Sequence, residues 1–310
     1  MKPEIMAVLP ESIRTLIKSM PSSLIDKVEE IRVRVGRPLE VIAEGRPFYP
    51  ENDNHMYRIR PEDGQFILNQ LSHYSFYAFE EELKRGYITI RGGHRVGLSG
   101  KVILEKGQVK TLKEISSYNI RVARQTIGVA DKLISQIFEK EWLNTLIIGP
   151  PQTGKTTLLR DIARLISEGD RKKGIQPLKV GIVDERSEIA ASVKGVPQHR
   201  LGDRVDVLDG CPKVEGMMML IRTMSPDVII VDEIGREEDR IAIEEAMYAG
   251  VKVITTAHGH SVHDLKRRPA LKGLIELGVF ERFIELTKST KPGVIRRVER
   301  FQWQEGRGIR

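Results

Sequence analysis

The sequence predicts an α/β fold, a doubly wound and mainly parallel sheet, preceded by a small mixed α+β domain. Three observations carry this. From Trp142 onward, short apolar runs ("TLIIG", "VGIVD", "DVIIVD", "VKVITTAH") alternate with helical stretches, the pattern of strands buried on both faces by crossover helices. Upstream, β-branched segments alternate apolar and polar residues around glycine turns, as antiparallel strands do. A chain of 310 residues also exceeds what one core comfortably encloses, so two domains are expected, 1–138 and 139–310.

Taken in order, "MAVLPESIRTLIKSM" spaces its apolar residues helically, with Pro10 and Glu11 suited to a first turn. "KVEEIRVRVGRPLEVIAEGRPFYP" reads as two strands joined at Gly36 and Arg37. Pro61 to Arg85 suits one or two helices, with acids at the start and basic residues at the end to match the helix dipole. The segment from Gly86 to Gln125 returns to strands, with "RGG" and "KGQ" as turns.

Composition narrows the class. With 40% hydrophobic and 30% charged residues and no apolar run of 18, the chain predicts a globular protein without a membrane span or secretory signal, hence a cytoplasmic one. Cys211, the single cysteine, can form no internal disulfide. The net charge of +7 invites a nucleic-acid reading, but residues 1–138 carry 21 basic and 17 acidic groups and residues 139–310 carry 29 and 26, so neither half is a basic tract. Only the tail "KPGVIRRVERFQWQEGRGIR" is asymmetric.

The chemistry concentrates at the ends of the predicted parallel strands. Gly149, Pro150, Pro151, Gln152, Thr153, Gly154, Lys155 and Thr156 fit G-x-x-x-x-G-K-[ST] completely, after an apolar strand and before the helical "TTLLRDIARLIS", which begins at Thr156 and Thr157. In such a loop the backbone N–H groups and helix N-terminus surround the phosphates of ATP. Lys155 reaches the β and γ oxygens, and the Thr156 hydroxyl ligates Mg²⁺. "DVIIVDEIG" supplies a second strand with Asp232 to hold the hydrated Mg²⁺ and Glu233 to orient or deprotonate water. The interval between Lys155 and Asp232 leaves room for a further strand, which "KVGIVDE" fills; this suits a RecA-like or AAA-like order. The cluster "DERSEIA" brings Asp184, Glu185 and Glu188, either to polarise water or to cap the next helix. "TTAHGHS" puts Thr256, His258 and His260 where a γ-phosphate sensor would lie, His258 foremost.

These motifs, in this order, resemble the secretion ATPase superfamily, the hexameric motors of type II and type IV secretion and pilus systems. More narrowly, "KVEEIRVRVGRPLEV", "ELKRGYITIRGGHRVGLSGKV", "ISSYNIRVAR" and "LDGCPKVEGMMMLIRTMSPDVIIVDEIG" resemble the stage III sporulation AA family, from about residue 5 to past residue 300. The resemblance implies a small N-terminal domain joined to a RecA-like P-loop ATPase domain. It implies a homo-oligomeric ring, expected to be a hexamer, and ATP with Mg²⁺. It implies a cytoplasmic energy source on the mother-cell side, attached through integral membrane proteins to a secretion-like complex built during endospore formation. Carried onto this chain it assigns Lys155 and Thr156 to the phosphate loop, Glu185 or Glu188 to the acidic box and His258 to the histidine box. Asp232 departs from the pattern, since such motors commonly have Gly there. Ring ATPases also use an arginine from a neighbouring subunit or domain; Arg204 and Arg200 on "HRLGDRVDVLDG", read as an exposed loop, are candidates, with Arg91, Arg95, Arg121 and Arg124. A nucleic-acid partner is not expected, because the tail carries no Arg-x-x-x-His and no appended single-strand-binding module.

Overall fold

In the computed structural model of the protein, residues 1–52, 55–72, 82–289 and 291–301 are described. They divide into two compact units, Met1–Arg124 and Gln125–Arg310. The division falls before residue 138 because Ala130, Leu133, Ile134 and Ile137 all bury in the core of the second unit, alongside Ile147 and Leu158.

The first unit is an antiparallel sheet with helices on its apolar face. Its strands are β1 (Val28–Arg34), β2 (Glu40–Ala43), β3 (Arg46–Phe48), β4 (Glu51–Asn52), β5 (His55–Met56), β6 (Tyr87–Ile90), β7 (His94–Glu105) and β8 (Gln108–Arg121). Six of them form one sheet in the order β3-β2-β1-β8-β7-β6, while β4 and β5 pair separately. Alternation decides the faces. Val28, Ile31 and Val33 are buried against Ile13, Ile17 and Ile67 of the helices Glu11–Ser19 and Pro61–Ser72. Between them Arg32 pairs with Glu30 and Arg34 with Glu40 on the wetter face. The opening helix of the sequence reading is two, Pro3–Val8 and Glu11–Ser19, because Pro10 supplies no N–H to continue the first. Of the predicted helical stretch from Pro61 to Arg85, residues 73–81 lie outside the described residues, as do 302–310 of the tail.

The second unit is a seven-stranded sheet built from β9 (Thr145–Ile148), β10 (Val180–Asp184), β11 (Val205–Asp209), β12 (Val228–Val231), β13 (Lys252–Ala257), β14 (Arg282–Leu286) and β15 (Ile295–Arg300). Their order is β11-β10-β12-β13-β9-β14-β15, parallel throughout except for β15. Side chains of one strand go alternately to two cores. Ile147 meets Leu158, Ile162 and Ile166 of the helix Lys155–Glu168. Its neighbours Leu146 and Ile148 share the opposite core with Met217, Ile243 and Leu274, from the helices Lys213–Thr223, Glu237–Tyr248 and Pro269–Glu276. Helices on both faces of a parallel sheet leave only its strand ends open, and ligands bind at the carboxyl ends.

The strand expected in "KVGIVDE" is β10, between the two motifs in the chain; in the sheet it lies on the far side of β12, and β13 stands between β9 and β12. One expectation needs correction here: "VDVLD", read as loop, is the edge strand β11, paired with β10 from Val205 to Asp209. Its mix of half-buried and exposed positions, natural at an edge, lacks the continuous apolar run that marks the central strands.

Candidate nucleotide site

Four strands end in one place. The loop Gly149–Gly154 leaves β9 and leads into the helix Lys155–Glu168, with Gln152 and Gly154 at positive φ. Glycine is required at 149 and 154 by space. A Cβ at Gly149 would stand 2.5 Å from Thr153 Oγ1, and one at Gly154 2.4 Å from the backbone nitrogen of Gly293. That nitrogen donates to the Thr153 carbonyl, so the turn between β14 and β15 closes against the loop. The helix that follows runs for 14 residues, and its unpaired N-terminal amides form an anion-binding end.

Lys155 is buried, and its Nζ donates to the carbonyls of Gly149 (3.0 Å) and Pro150 (3.1 Å). Burial pushes its pKa down, while Asp232 and Glu233 pull it back up, so the ammonium sits in a site built to be neutralised by added negative charge. Its Nζ also lies 3.1 Å from His258 Nδ1. An ammonium can only donate, so Nδ1 accepts and the ring proton is on Nε2, which faces Glu233 Oε1 at 2.7 Å. The other Glu233 oxygen accepts from Arg186 at 3.0 Å. Lys155, His258, Glu233 and Arg186 thus form one hydrogen-bonded chain across the site.

Thr156 Oγ1 donates to Asp232 Oδ2 at 2.8 Å, joining the phosphate-loop helix to the end of β12. The other Asp232 oxygen accepts from the Thr256 hydroxyl. The backbone N–H of Glu233 donates back to Thr256 Oγ1 at 2.9 Å. Because β13 separates β9 from β12, it is the strand able to reach both motifs, and Thr256 and His258 are the residues by which it does so. A threonine hydroxyl and a carboxylate side by side are hard oxygen donors suited to Mg²⁺, which takes few protein ligands and completes its octahedron with water and phosphate oxygens. Among the described residues no group of three His, Cys, Asp or Glu could hold a metal ion.

The acidic cluster after β10 splits into separate roles. Asp184 is buried and accepts from the backbone N–H groups of Glu188 and Ala190, both at 2.8 Å, so it shapes the turn. Burial raises its pKa against the opposing pull of these amides. The side chain of Arg160 fixes the same turn by donating to the carbonyls of Glu188 and Ile189. Glu185 pairs with Lys213 at 2.9 Å, and the same Nζ donates to the Glu233 carbonyl at 3.0 Å. Glu185 is therefore tied to the second motif through one lysine, whereas the Glu188 side chain is exposed. The exposed His260 donates its backbone N–H to Asp264.

Arg204 is not assembled with these residues. It precedes β11, and its carbonyl accepts from Val180 at the start of β10, so it stands at the end of the sheet opposite Asp184 and Asp232. Arg200 is held in an ion pair with Glu168, Arg121 in one with Glu30, Arg95 lies over the Tyr87 ring, and Arg124 binds the carbonyls of Asp26 and Val28. Sequence reasoning missed Arg186, Lys213 and Arg160. The first lay in plain view within "DERSE", but nothing in its spacing shows that it crosses to the next strand's glutamate.

The sheet order and the phosphate loop define a RecA-like fold. Solved structures similar to it include the ATPase DotB of Legionella pneumophila, with a TM-score of 0.57 at 19% identity over 89% of this chain and 78% of that one, and the pilus retraction motor PilT in a structure with bound ADP, with a TM-score of 0.60 at 17% identity over 96% and 82%. The chain belongs to the family described as sporulation stage III, protein AA, whose profile matches residues 1–305. Stage III sporulation protein AA of Bacillus subtilis strain 168 is 55% identical to it over 295 residues, 95% of this chain and 94% of that protein. No helix among the described residues is long and apolar enough to cross a membrane.

Proposed function

We propose that the protein is a Mg²⁺-dependent ATP hydrolase that works as a homo-oligomeric ring, a hexamer, and energises a secretion-like complex spanning the envelope between mother cell and forespore. The observation that carries this reading is the pair of linked contacts, Thr156 with Asp232 and Lys155 through His258 with Glu233, which puts a cation site and a base within one hydrogen-bonded frame. Thr156 and Asp232 hold Mg²⁺, which when bound neutralises charge developing on the phosphoryl oxygens. Lys155 exchanges the loop carbonyls for the β and γ oxygens of ATP, and the backbone N–H groups from Gln152 to Thr157 line the phosphates, Pro150 and Pro151 having none to offer. Glu233 orients the attacking water and takes its proton. His258 loses its Lys155 donor when that ammonium turns to the γ-phosphate, which makes it the group that reports the phosphate to Glu233. Glu185 acts through Lys213 on the Glu233 backbone, and Glu188 completes the acidic box. Arg204, exposed at the opposite sheet end, is offered as the arginine that serves a neighbouring subunit's site.

The protein would work at the cytoplasmic surface, on the mother-cell side, held there by integral membrane partners. The test is phosphate release by the wild type, Lys155→Ala and Glu233→Gln, with and without single-stranded RNA or DNA, together with the sedimentation mass of Glu233→Gln in ATP. Turnover lost in both variants, indifference to nucleic acid and a hexameric mass are expected. Strong stimulation by nucleic acid would replace the secretion reading with a translocase. A strict monomer in ATP would remove the ring.

A further inference from the structure

The hydrogen-bonded chain across the nucleotide site has a cation at each end and one carboxylate between them. Lys155 stands at one end and Arg186 at the other. Glu233 joins the two, with Oε1 facing His258 Nε2 at 2.7 Å and Oε2 accepting from Arg186 Nη1 at 3.0 Å, so both of its oxygens are engaged. Its backbone has anchors of its own, Thr256 on the amide and Lys213 on the carbonyl.

Arg186 is mounted for a change of partner. The turn that carries it is fixed from two sides. Buried Asp184 accepts from the amides of Glu188 and Ala190, and Arg160, itself buried on the phosphate-loop helix, donates to the carbonyls of Glu188 and Ile189. The Arg186 backbone is thereby tied to the helix that begins at the phosphate loop. Its side chain, by contrast, is 66% exposed. An ion pair so open to water is weak and easily exchanged, and a long side chain on a fixed turn can be redirected without moving the fold. A γ-phosphoryl group carries more charge than a carboxylate and offers several oxygens to the planar fork of a guanidinium, which makes it the stronger acceptor.

We propose that Arg186 is a γ-phosphate ligand within its own subunit: it rests on Glu233 in the empty site and passes to the γ-phosphate when ATP binds. The triphosphate itself then frees the carboxylate to act on water. ADP offers no γ oxygens and leaves the pair with Glu233 closed, so Arg186 is the residue by which the site tells ATP from ADP. This rests on the ATPase reading and deepens it.

The test is displacement of a fluorescent ADP analogue from the full chain by ADP and by the slowly hydrolysed ATPγS, both with Mg²⁺. Arg186→Gln should weaken ATPγS at least about tenfold and leave ADP within about twofold of the wild type. Arg186→Lys, which keeps the charge without the fork, should recover part of the loss. Glu233→Ala removes the resting partner and should tighten ATPγS by roughly two- to fivefold, a gain that should vanish when Arg186→Gln is added. Unchanged ADP affinity shows that each variant is folded. An Arg186→Gln protein that keeps the wild-type affinity for ATPγS, even with turnover lost, would make the arginine a support for Glu233 alone and overturn the proposal. So would an equal loss for ADP and ATPγS, or a gain in Glu233→Ala that persists without Arg186, which would be relief of charge repulsion. These three results leave the ATPase reading standing; a wild type that binds neither nucleotide would overturn both.

Discussion

The two sheets of this protein use their strand ends in opposite ways. In the second unit, β9, β10, β12 and β13 run parallel, and their carboxyl ends deliver Lys155, Asp184, Asp232 and His258 to one rim. In the first unit the strands are antiparallel, short turns join β1 to β2, β2 to β3, β6 to β7 and β7 to β8, and the longest pair runs out as a ribbon. Parallel strands cannot be joined by tight turns, so their ends are left free to carry functional loops. Antiparallel strands spend their ends on connection, and what they offer outward is a face or an edge. The chemistry of hydrolysis and the contacts with surroundings are expected to separate accordingly.

Four substitutions test that separation. Glu233→Gln removes the proposed proton acceptor at the parallel rim and should cut phosphate release by about 10²–10⁴ while nucleotide binding, followed with a fluorescent analogue, persists. Ile31→Ala opens a cavity under the antiparallel sheet, where the side chain is fully buried. It should cost about 2–5 kcal/mol in denaturant titration and leave the turnover of folded protein unchanged. If turnover fell in parallel, the contrast between the units would break. Asp184→Asn sharpens it from the other side, because this carboxylate shapes the rim's turn without doing chemistry. Loss of one backbone acceptor should cost about 1–3 kcal/mol at neutral pH. Burial lifts the native pKa of Asp184 above its ordinary 3.8, so the native state holds the proton more tightly than the unfolded chain does. The stability owed to this group is full below that value and is lost as pH rises through the raised native pKa. The wild type's melting advantage over Asp184→Asn should therefore widen on acidification. Smallest of all, Leu104→Ser on the ribbon should change stability by no more than about 0.5 kcal/mol, since the residue is already mostly in water.

What could be read from the chain follows the same division. The phosphate loop and "DVIIVDE" were legible because their geometry is local: a strand, its turn and the next helix are consecutive in sequence. The central strands were legible because burial on both faces demands an unbroken apolar run. The edge strands "VDVLD" and "IRRVER" are hard to read as strands because charges at the margin of a sheet blur that run, and "RFIEL", one place in from the edge and wholly buried, is masked by its own Arg282 and Glu285. Spatial order was hidden for a different reason. That β13 and not β10 stands between the two motifs depends on crossovers of many residues, which no window of sequence contains. Arg186 and Lys213 reach Glu233 only across such crossovers, and so became visible only in three dimensions. The domain edge was placed too late because the short turns from Ala130 to Ile137 have no strand character, although they bury as deeply as the sheet.

Glu233 holds its backbone at φ 57°, where a side chain is disfavoured by roughly 1–3 kcal/mol and glycine is at ease. Four contacts keep it there: the amide to Thr256, the carbonyl from Lys213, and the two carboxylate oxygens to His258 and Arg186. If Glu233 is the base proposed above, glycine at this one position would relieve the backbone and remove the proton acceptor together, leaving a cradle that grips its fuel without burning it.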